Sequence, residues 1–329
     1  MFVPTTFAAA LAMTIVSTIC WGSFANTFKL TRNYRFELYY WDYAFGTVLI
    51  SLVLAFTMGS SHGGETTFIA NLASAAPANL CYAAIGGFIF NIANVLLIAG
   101  IEIAGLAVAF PISIGIALVE GVVLSYALQP KGNRNLLAEG VAFAVLAVIL
   151  IGKAYGELKS GGASVSRKGV IVCVISGLLM GIFAPFVTKA MTADQPLTPY
   201  TVAVLFTLGA LACCFFFNTV LMRNPLVGEP IGFAGYRAAF GKYHALGLLG
   251  GAIWGIGTVF NFVAASLVGV AISYAIGQAS PMIAALWGVA VWHEFRGANS
   301  RAKAYLAGMF ASYILALVLI AAAYKAGSL

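Results

Sequence analysis

Ten stretches of this chain run for about 20 residues almost without charge, joined by short polar connections. At ~1.5 Å rise per residue such a stretch crosses the ~30 Å hydrocarbon layer of a bilayer. In lipid only a helix or a closed barrel satisfies its own backbone. The runs cover Thr5–Phe28, Tyr39–Gly59, Leu80–Gly100, Gly105–Leu128 and Leu136–Gly152, then Gly169–Met191, Tyr200–Met222, Ala245–Leu267, Val270–Trp292 and Ala304–Tyr324. Charged residues make up 8% of the chain, against roughly 25% in soluble domains. This excludes a soluble enzyme, a nucleic-acid-binding domain and a disordered chain. The first run is too long for a signal-peptide core and lacks a basic region before it, so it is expected to remain as a span. The five cysteines all lie in apolar runs without C-x-x-C spacing, which predicts neither a disulfide framework nor a zinc site.

Lysine and arginine in the connections set orientation. Thirteen fall on one side and four (Lys131, Arg134, Lys189 and Lys325) on the other. The positive-inside rule then places both termini outside and the central loop, Lys153 to Lys168, in the cytoplasm. With no targeting segment, a bacterial inner membrane is the expected location.

The hydrophilic stretch Ser160-Gly161-Gly162-Ala163-Ser164 divides the chain into residues 1–160 and 161–329, with five spans each. An offset of 164 aligns Gly86–Ile112 with Gly250–Ile276 without a gap, and eight of the 27 pairs are identical, Gly87/Gly251 and Gly105/Gly269 among them. Trp21-Gly22-Ser23-Phe24-Ala25 parallels Met180-Gly181-Ile182-Phe183-Ala184. An odd number of spans per half makes the two copies enter the membrane in opposite senses. The predicted fold is therefore an all-α membrane protein, ten transmembrane helices as two inverted repeats of five.

Ten spans in two halves, the Gly-rich third–fourth and eighth–ninth pairs and Trp21-Gly22 resemble the drug/metabolite transporter superfamily. Cys20-Trp21-Gly22-Ser23, Tyr40-Trp41-Asp42-Tyr43 and Gly251-Ala252-Ile253-Trp254-Gly255 are similar to its branch of sugar permeases (glucose, ribose, rhamnose) and plant ureide permeases. The resemblance implies transport of a small polar solute. Plant ureide permeases also carry a long central loop with a nucleotide-binding-like motif, which this chain lacks.

Polar side chains inside a bilayer are costly and face the bundle interior. Glu120 is the one carboxylate deep within a run, and its chemistry suits a proton or cation relay or a solute acceptor; a structural glutamate bonded to a neighbouring helix is the plainer alternative. Asp42 and Glu139, near run ends, are expected to be interfacial. Asn91 and Asn94 share a face of the third span. Trp254, Thr258 and Asn261 share one of the eighth, and Tyr274, Gln278 and Pro281 one of the ninth. The repeat makes Phe90 the counterpart of Trp254 and Phe110 that of Tyr274. With Trp21 and Asn26 of the first span, these aromatics and amides suit a hydroxyl- or amide-rich solute; interhelical bonding is the competing role. Pro111, Pro185 and Pro281 can bend spans and free carbonyls.

Gly235 to Lys242 lacks the spacing and the Ser/Thr of a phosphate loop, and Gly297 stands where His293-Glu294 would need its second metal-binding histidine. No cofactor, metal or enzymatic activity is expected. The sequence thus predicts a secondary transporter importing a sugar, nucleoside or ureide-like solute with protons or another cation, by alternating access. The alternatives are a drug or metabolite exporter of the same superfamily and a passive channel.

Overall fold

The computed structural model describes residues 1–32, 34–61, 66–158, 167–225 and 228–326. The Ser160–Ser164 stretch, with the boundary between residues 160 and 161, lies outside the described residues, as do His62 and the side chains of Glu102 and Phe110. Among the described residues all regular structure is helical, and ten helices are long and apolar enough to cross a membrane. They are spans 1 to 10: Phe7–Lys29, Phe36–Ser60, Pro77–Ile101, Pro111–Leu128, Arg134–Leu158, Arg167–Thr192, Pro199–Arg223, Gly241–Val268, Val270–Ala290 and Ser300–Ala326.

Local chemistry marks their ends. Thr6 Oγ1 accepts from the Ala9 amide at 3.2 Å, and Thr198 caps span 7 with Pro199 at its first turn. Asn299 Oδ1 accepts from the Ala302 amide at 2.8 Å at the start of span 10. Each of these satisfies an amide that the first helical turn leaves without an intrahelical acceptor.

Three spans are irregular, two of them beside a proline expected to bend its span. Span 1 breaks at Phe24. Span 4 is preceded by a short helix, Leu106–Ala109, and opens with a π-helical turn, Phe110–Ile114, where Pro111 supplies no amide. Span 9 splits into Val270–Gly277 and Ser280–Ala290 around Gln278 and Ala279, with Pro281 in the first turn of the second piece. Pro185, by contrast, sits inside an unbroken helix. Gly105 and Gly269, which precede spans 4 and 9, have φ of 80° and 85°. Side-chain-bearing residues rarely adopt that region, so glycine is needed at both.

The chain forms two compact units that do not follow its midpoint. The first comprises Met1–Ile92 and Phe186–Leu267, the second Ala93–Pro185 and Val268–Leu329. Each therefore draws on both halves of the sequence, and spans 3 and 6 pass from one unit to the other.

In the first unit span 2 packs on span 7, and four glycines let backbones touch. A Cβ on Gly46 would overlap the Leu248 carbonyl oxygen, and one on Gly251 the Tyr43 carbonyl oxygen, so spans 2 and 8 cross reciprocally. Spans 7 and 3 do the same through Gly209 against the Ala84 carbonyl and Gly87 against the Phe206 carbonyl. Lipid offers helices no hydrophobic drive to associate, so such close approach is a main source of their attraction.

In the second unit span 5 packs on span 10 and span 4 on span 9. A Cβ on Gly140 would press Ile320 at 2.6 Å. Ser113 Oγ donates to the Cys173 carbonyl and Ser176 Oγ to the Ala93 carbonyl, both at 2.8 Å, tying span 6 to spans 4 and 3.

Candidate functional site

The predicted residues fall into two groups, one in each unit. In the first, Trp254 is buried in span 8 beside a set of aromatic rings. Phe90 of span 3 stacks on it at 5.1 Å and 27°, and Trp21 of span 1 at 6.3 Å and 20°. Phe206 of span 7 lies at 6.5 Å and Tyr43 of span 2 at 6.2 Å. Phe90 and Trp254, which the sequence offset of 164 pairs, are thus in direct contact. Trp21 Nε1 donates to Thr258 Oγ1 at 3.2 Å, and the Thr258 hydroxyl donates to the Trp254 carbonyl at 3.1 Å. Asn261, one turn further, is buried.

Asn91 lies next to Phe90 in span 3, and its Oδ1 accepts from the Tyr40 hydroxyl at 2.7 Å. Its Nδ2 is buried with no oxygen acceptor and interacts with the Cys213 thiol. The Tyr43 hydroxyl is buried without a hydrogen bond. Nearly all buried polar groups in native proteins are bonded, so each exception asks for a ligand, a water or a change of state. Asn26 is not part of this group in the same sense, because its Nδ2 donates to the Ser23 carbonyl of its own turn at 2.8 Å.

In the second unit Glu120 sits near the middle of span 4. Its Oε2 is buried without a hydrogen bond, and the missing Cβ of Gly181 makes room for it, since one placed there would stand 2.6 Å from that oxygen. The Tyr274 hydroxyl, in the same neighbourhood, donates to the Ala117 carbonyl at 3.2 Å. Its ring meets Phe183 edge-on at 5.6 Å and fills the space above Gly121. Gln278 is buried at the break in span 9, where its backbone N–H donates to the Tyr274 carbonyl at 3.0 Å. Asn94 is half-buried just past the point where span 3 enters this unit. Asn91 and Asn94, one turn apart, therefore belong to different units. Among the described residues no group of three or more His, Cys, Asp or Glu side chains could hold a metal.

The sequence model of the ureide permease family matches residues 157–323, about half of the chain. The chain belongs to the ureide permease family. Ureide permease 1 of Arabidopsis thaliana is 22% identical, covering 95% of this chain and 96% of that protein. Ureide permease 4 of the same plant is 23% identical over 98% of each chain. The probable glucose uptake protein GlcU of Priestia megaterium is 22% identical over 71% of this chain and 75% of its own. One solved crystal structure shares the fold with a TM-score of 0.65 at 15% identity, covering 95% of this chain and 99% of the other. As a member of the ureide permease family the chain is a multi-pass membrane transporter of small solutes rather than an enzyme. The resemblance read from its short motifs holds.

Sequence reasoning missed several of these residues. Tyr40 and Tyr43 were noticed only as part of a motif, although a helical run of four consecutive residues must point to all sides of its span. Phe206 carried no signal of its own and emerges only from its packing beside Trp254 and Phe90. Asp42, expected near a span end, is 4% exposed and accepts from Tyr236 of a short helix in the connection between spans 7 and 8.

Proposed function

We propose that this permease imports a small polar solute carrying hydroxyl or ureide-like amide groups (a sugar, a nucleoside or a ureide) by alternating access, and that protons drive it through Glu120. The observation that carries this reading is that two of the buried polar atoms without hydrogen bonds inside the spans, the Tyr43 hydroxyl beside the aromatic set and Glu120 Oε2, belong to the two groups of predicted residues. An unbonded buried polar group costs about 1–3 kcal/mol, a penalty that a bound solute or proton removes. Hydroxyls and amides complement Asn91, Thr258 and Asn261 in the first unit and Asn94 and Gln278 in the second, while Trp21, Trp254 and Tyr274 supply aromatic surface. The names of the relatives, ureide permeases and a glucose uptake protein, support the same solute class.

Alternating access rests on the repeat, residues 1–160 and 161–329. The paired crossings support it, because Gly46 and Gly209, Tyr43 and Phe206, Ala84 and Leu248, and Gly87 and Gly251 are all counterparts at half the chain length, give or take one residue. Gly105 and Gly269, with matching φ, are another such pair. Inverted repeats with broken helices at mid-membrane are a recurring transporter design. The distribution of Lys and Arg supports an inner-membrane protein with both termini outside and the central loop cytoplasmic.

The test is a thermal-shift panel of pentoses, hexoses, nucleosides, ureides and cationic drugs on the purified protein, followed by uptake into proteoliposomes. A ligand at a hundredfold excess over its Kd stabilises by about 2.7 kcal/mol. Stabilisation by one polar class, with saturable uptake raised by an inward proton gradient, is the expected result. A response to cationic drugs alone overturns the import reading.

A further inference from the structure

Asp42 stands apart from its neighbours in the Tyr40–Tyr43 run. Both of its carboxylate oxygens are engaged: the Tyr236 hydroxyl donates to Oδ1 at 2.5 Å, and His244 Nδ1 lies 2.8 Å from Oδ2. Gly247, one turn beyond His244, leaves the room that the Asp42 side chain fills. The His244 ring is edge-on to Tyr236 at 4.6 Å and to Tyr34 at 6.5 Å. Tyr34 in turn stacks on Tyr243 at 5.0 Å.

Tyr236 belongs to Phe233–Arg237, a short helix in the connection between spans 7 and 8. The same connection is fastened to span 2 at two further points. Phe233 lies 5.4 Å from the Trp41 ring, and Arg35 Nη1 donates to the Glu229 carbonyl at 2.9 Å. Of these fastenings, the one at Asp42 alone depends on a histidine.

The other ionisable groups around the pair are accounted for. Burial and the nearby Asp42 push the Tyr34 hydroxyl up to about 12, and burial, with the bond to Asp42, raises Tyr236 as well. Both therefore keep their protons across the physiological range. Tyr39 of span 2 shares a hydrogen bond with Thr27 at 2.7 Å. Arg35 and Glu37 neutralise each other at 2.6 Å. Lys242 rests its ammonium over the Tyr243 ring at 5.2 Å, and the exposed Arg237 closes the short helix. An imidazole is the side chain whose charge ordinarily changes between pH 5 and 8.

The repeat supplies an internal comparison. Where spans 2 and 8 carry Asp42 and His244, the counterpart positions on spans 7 and 3 are Leu205 and Leu80. Leucine stands at both counterpart positions, so the shared sequence pattern does not call for an acid and a base. We propose that Asp42 and His244 form a proton-binding site that fastens the Phe233–Arg237 helix over the start of span 2 while His244 carries the proton. With the proton bound, the pair is neutral as a whole and the buried carboxylate holds the Tyr236 hydroxyl. When the proton leaves, a carboxylate without a counter-charge remains beneath the tyrosine, and buried charge of that kind is relieved by admitting water. The strap is fastened at the acid end of the range and loosens at the alkaline end.

A trifluoromethyl label on Ala234→Cys, with the exposed Cys81 changed to Ser, reports the short helix by fluorine NMR of the full chain between pH 5 and 8. A single pH-dependent change of signal is expected, absent from His244→Gln and Asp42→Asn and unaltered in His293→Gln. Tyr236→Phe, which keeps the acid–base pair and loses the fastening, is expected to hold the alkaline signal throughout. A wild-type signal that does not change, the same change in His244→Gln, or a wild-type titration in Tyr236→Phe overturns the proposal. The wild-type and Tyr236→Phe outcomes stand even where the buried-charge variants fail to fold. No solute is present, so this result and the identity of the transported solute are judged separately.

Discussion

Tyr40→Phe and Tyr43→Phe remove the same atom from neighbouring positions and should give opposite results. The Tyr40 hydroxyl donates to Asn91 between two spans, and interhelical bonds in lipid are worth about 0.6 kcal/mol on average and at most ~1.7. Unfolding in mixed micelles should show a loss of that size for Tyr40→Phe. Tyr43→Phe deletes a buried hydroxyl that has no hydrogen bond, so the empty protein should be as stable or slightly more so. If that hydroxyl serves the solute, the thermal shift of the active class in the proposed panel should shrink in Tyr43→Phe. At Asp42 and His244 the single changes should cost more than the double. Removing one member of a buried pair strands the other, at roughly 3–5 kcal/mol for full burial and less here because His244 is 26% exposed. A double-mutant cycle on unfolding free energies checks this. None of these three roles could be read from residue type. A tyrosine in an apolar run looks the same in sequence whether its hydroxyl is bonded or orphaned, and what covers Asp42 comes from a connection almost 200 residues away.

The helices themselves were far more legible. All ten appear where hydropathy and length place them, because lipid leaves an apolar run little choice but a helix. The breaks were not. Pro111, Pro185 and Pro281 look alike in sequence, yet one sits at a π-helical turn, one in an unbroken helix and one just after a two-residue gap. Glycines sort themselves in the same way. Alanine at Gly46, Gly87, Gly209 or Gly251 meets a backbone oxygen that cannot swing aside, and overpacking of this kind costs about 1–3 kcal/mol. Gly115 faces open space, so alanine there should be neutral or stabilise by up to ~1 kcal/mol through helix propensity. Thermal unfolding of the five variants separates the two classes.

For the molecule as a whole, the coupling assignment makes the sharpest demand. Glu120→Gln preserves shape and removes the titrating proton, so proteoliposome uptake should persist down a solute gradient and lose its response to a pH gradient. Unchanged acceleration by an inward proton gradient would move coupling elsewhere. The ten spans were legible from hydropathy and length. The two compact units were not, because each is assembled from both halves through long-range packing that no local pattern records. The reciprocal crossings also bear on what length changes the chain can absorb. Tyr43 and Gly46, Ala84 and Gly87, Phe206 and Gly209, and Leu248 and Gly251 each sit three residues apart, just under one helical turn. One residue inserted within any of these steps would rotate the glycine about 100° out of its crossing, whereas one inserted in a connection would be looped out. Insertion scanning should therefore find four narrow intolerant windows, two in each half of the chain, at Tyr43–Gly46, Ala84–Gly87, Phe206–Gly209 and Leu248–Gly251.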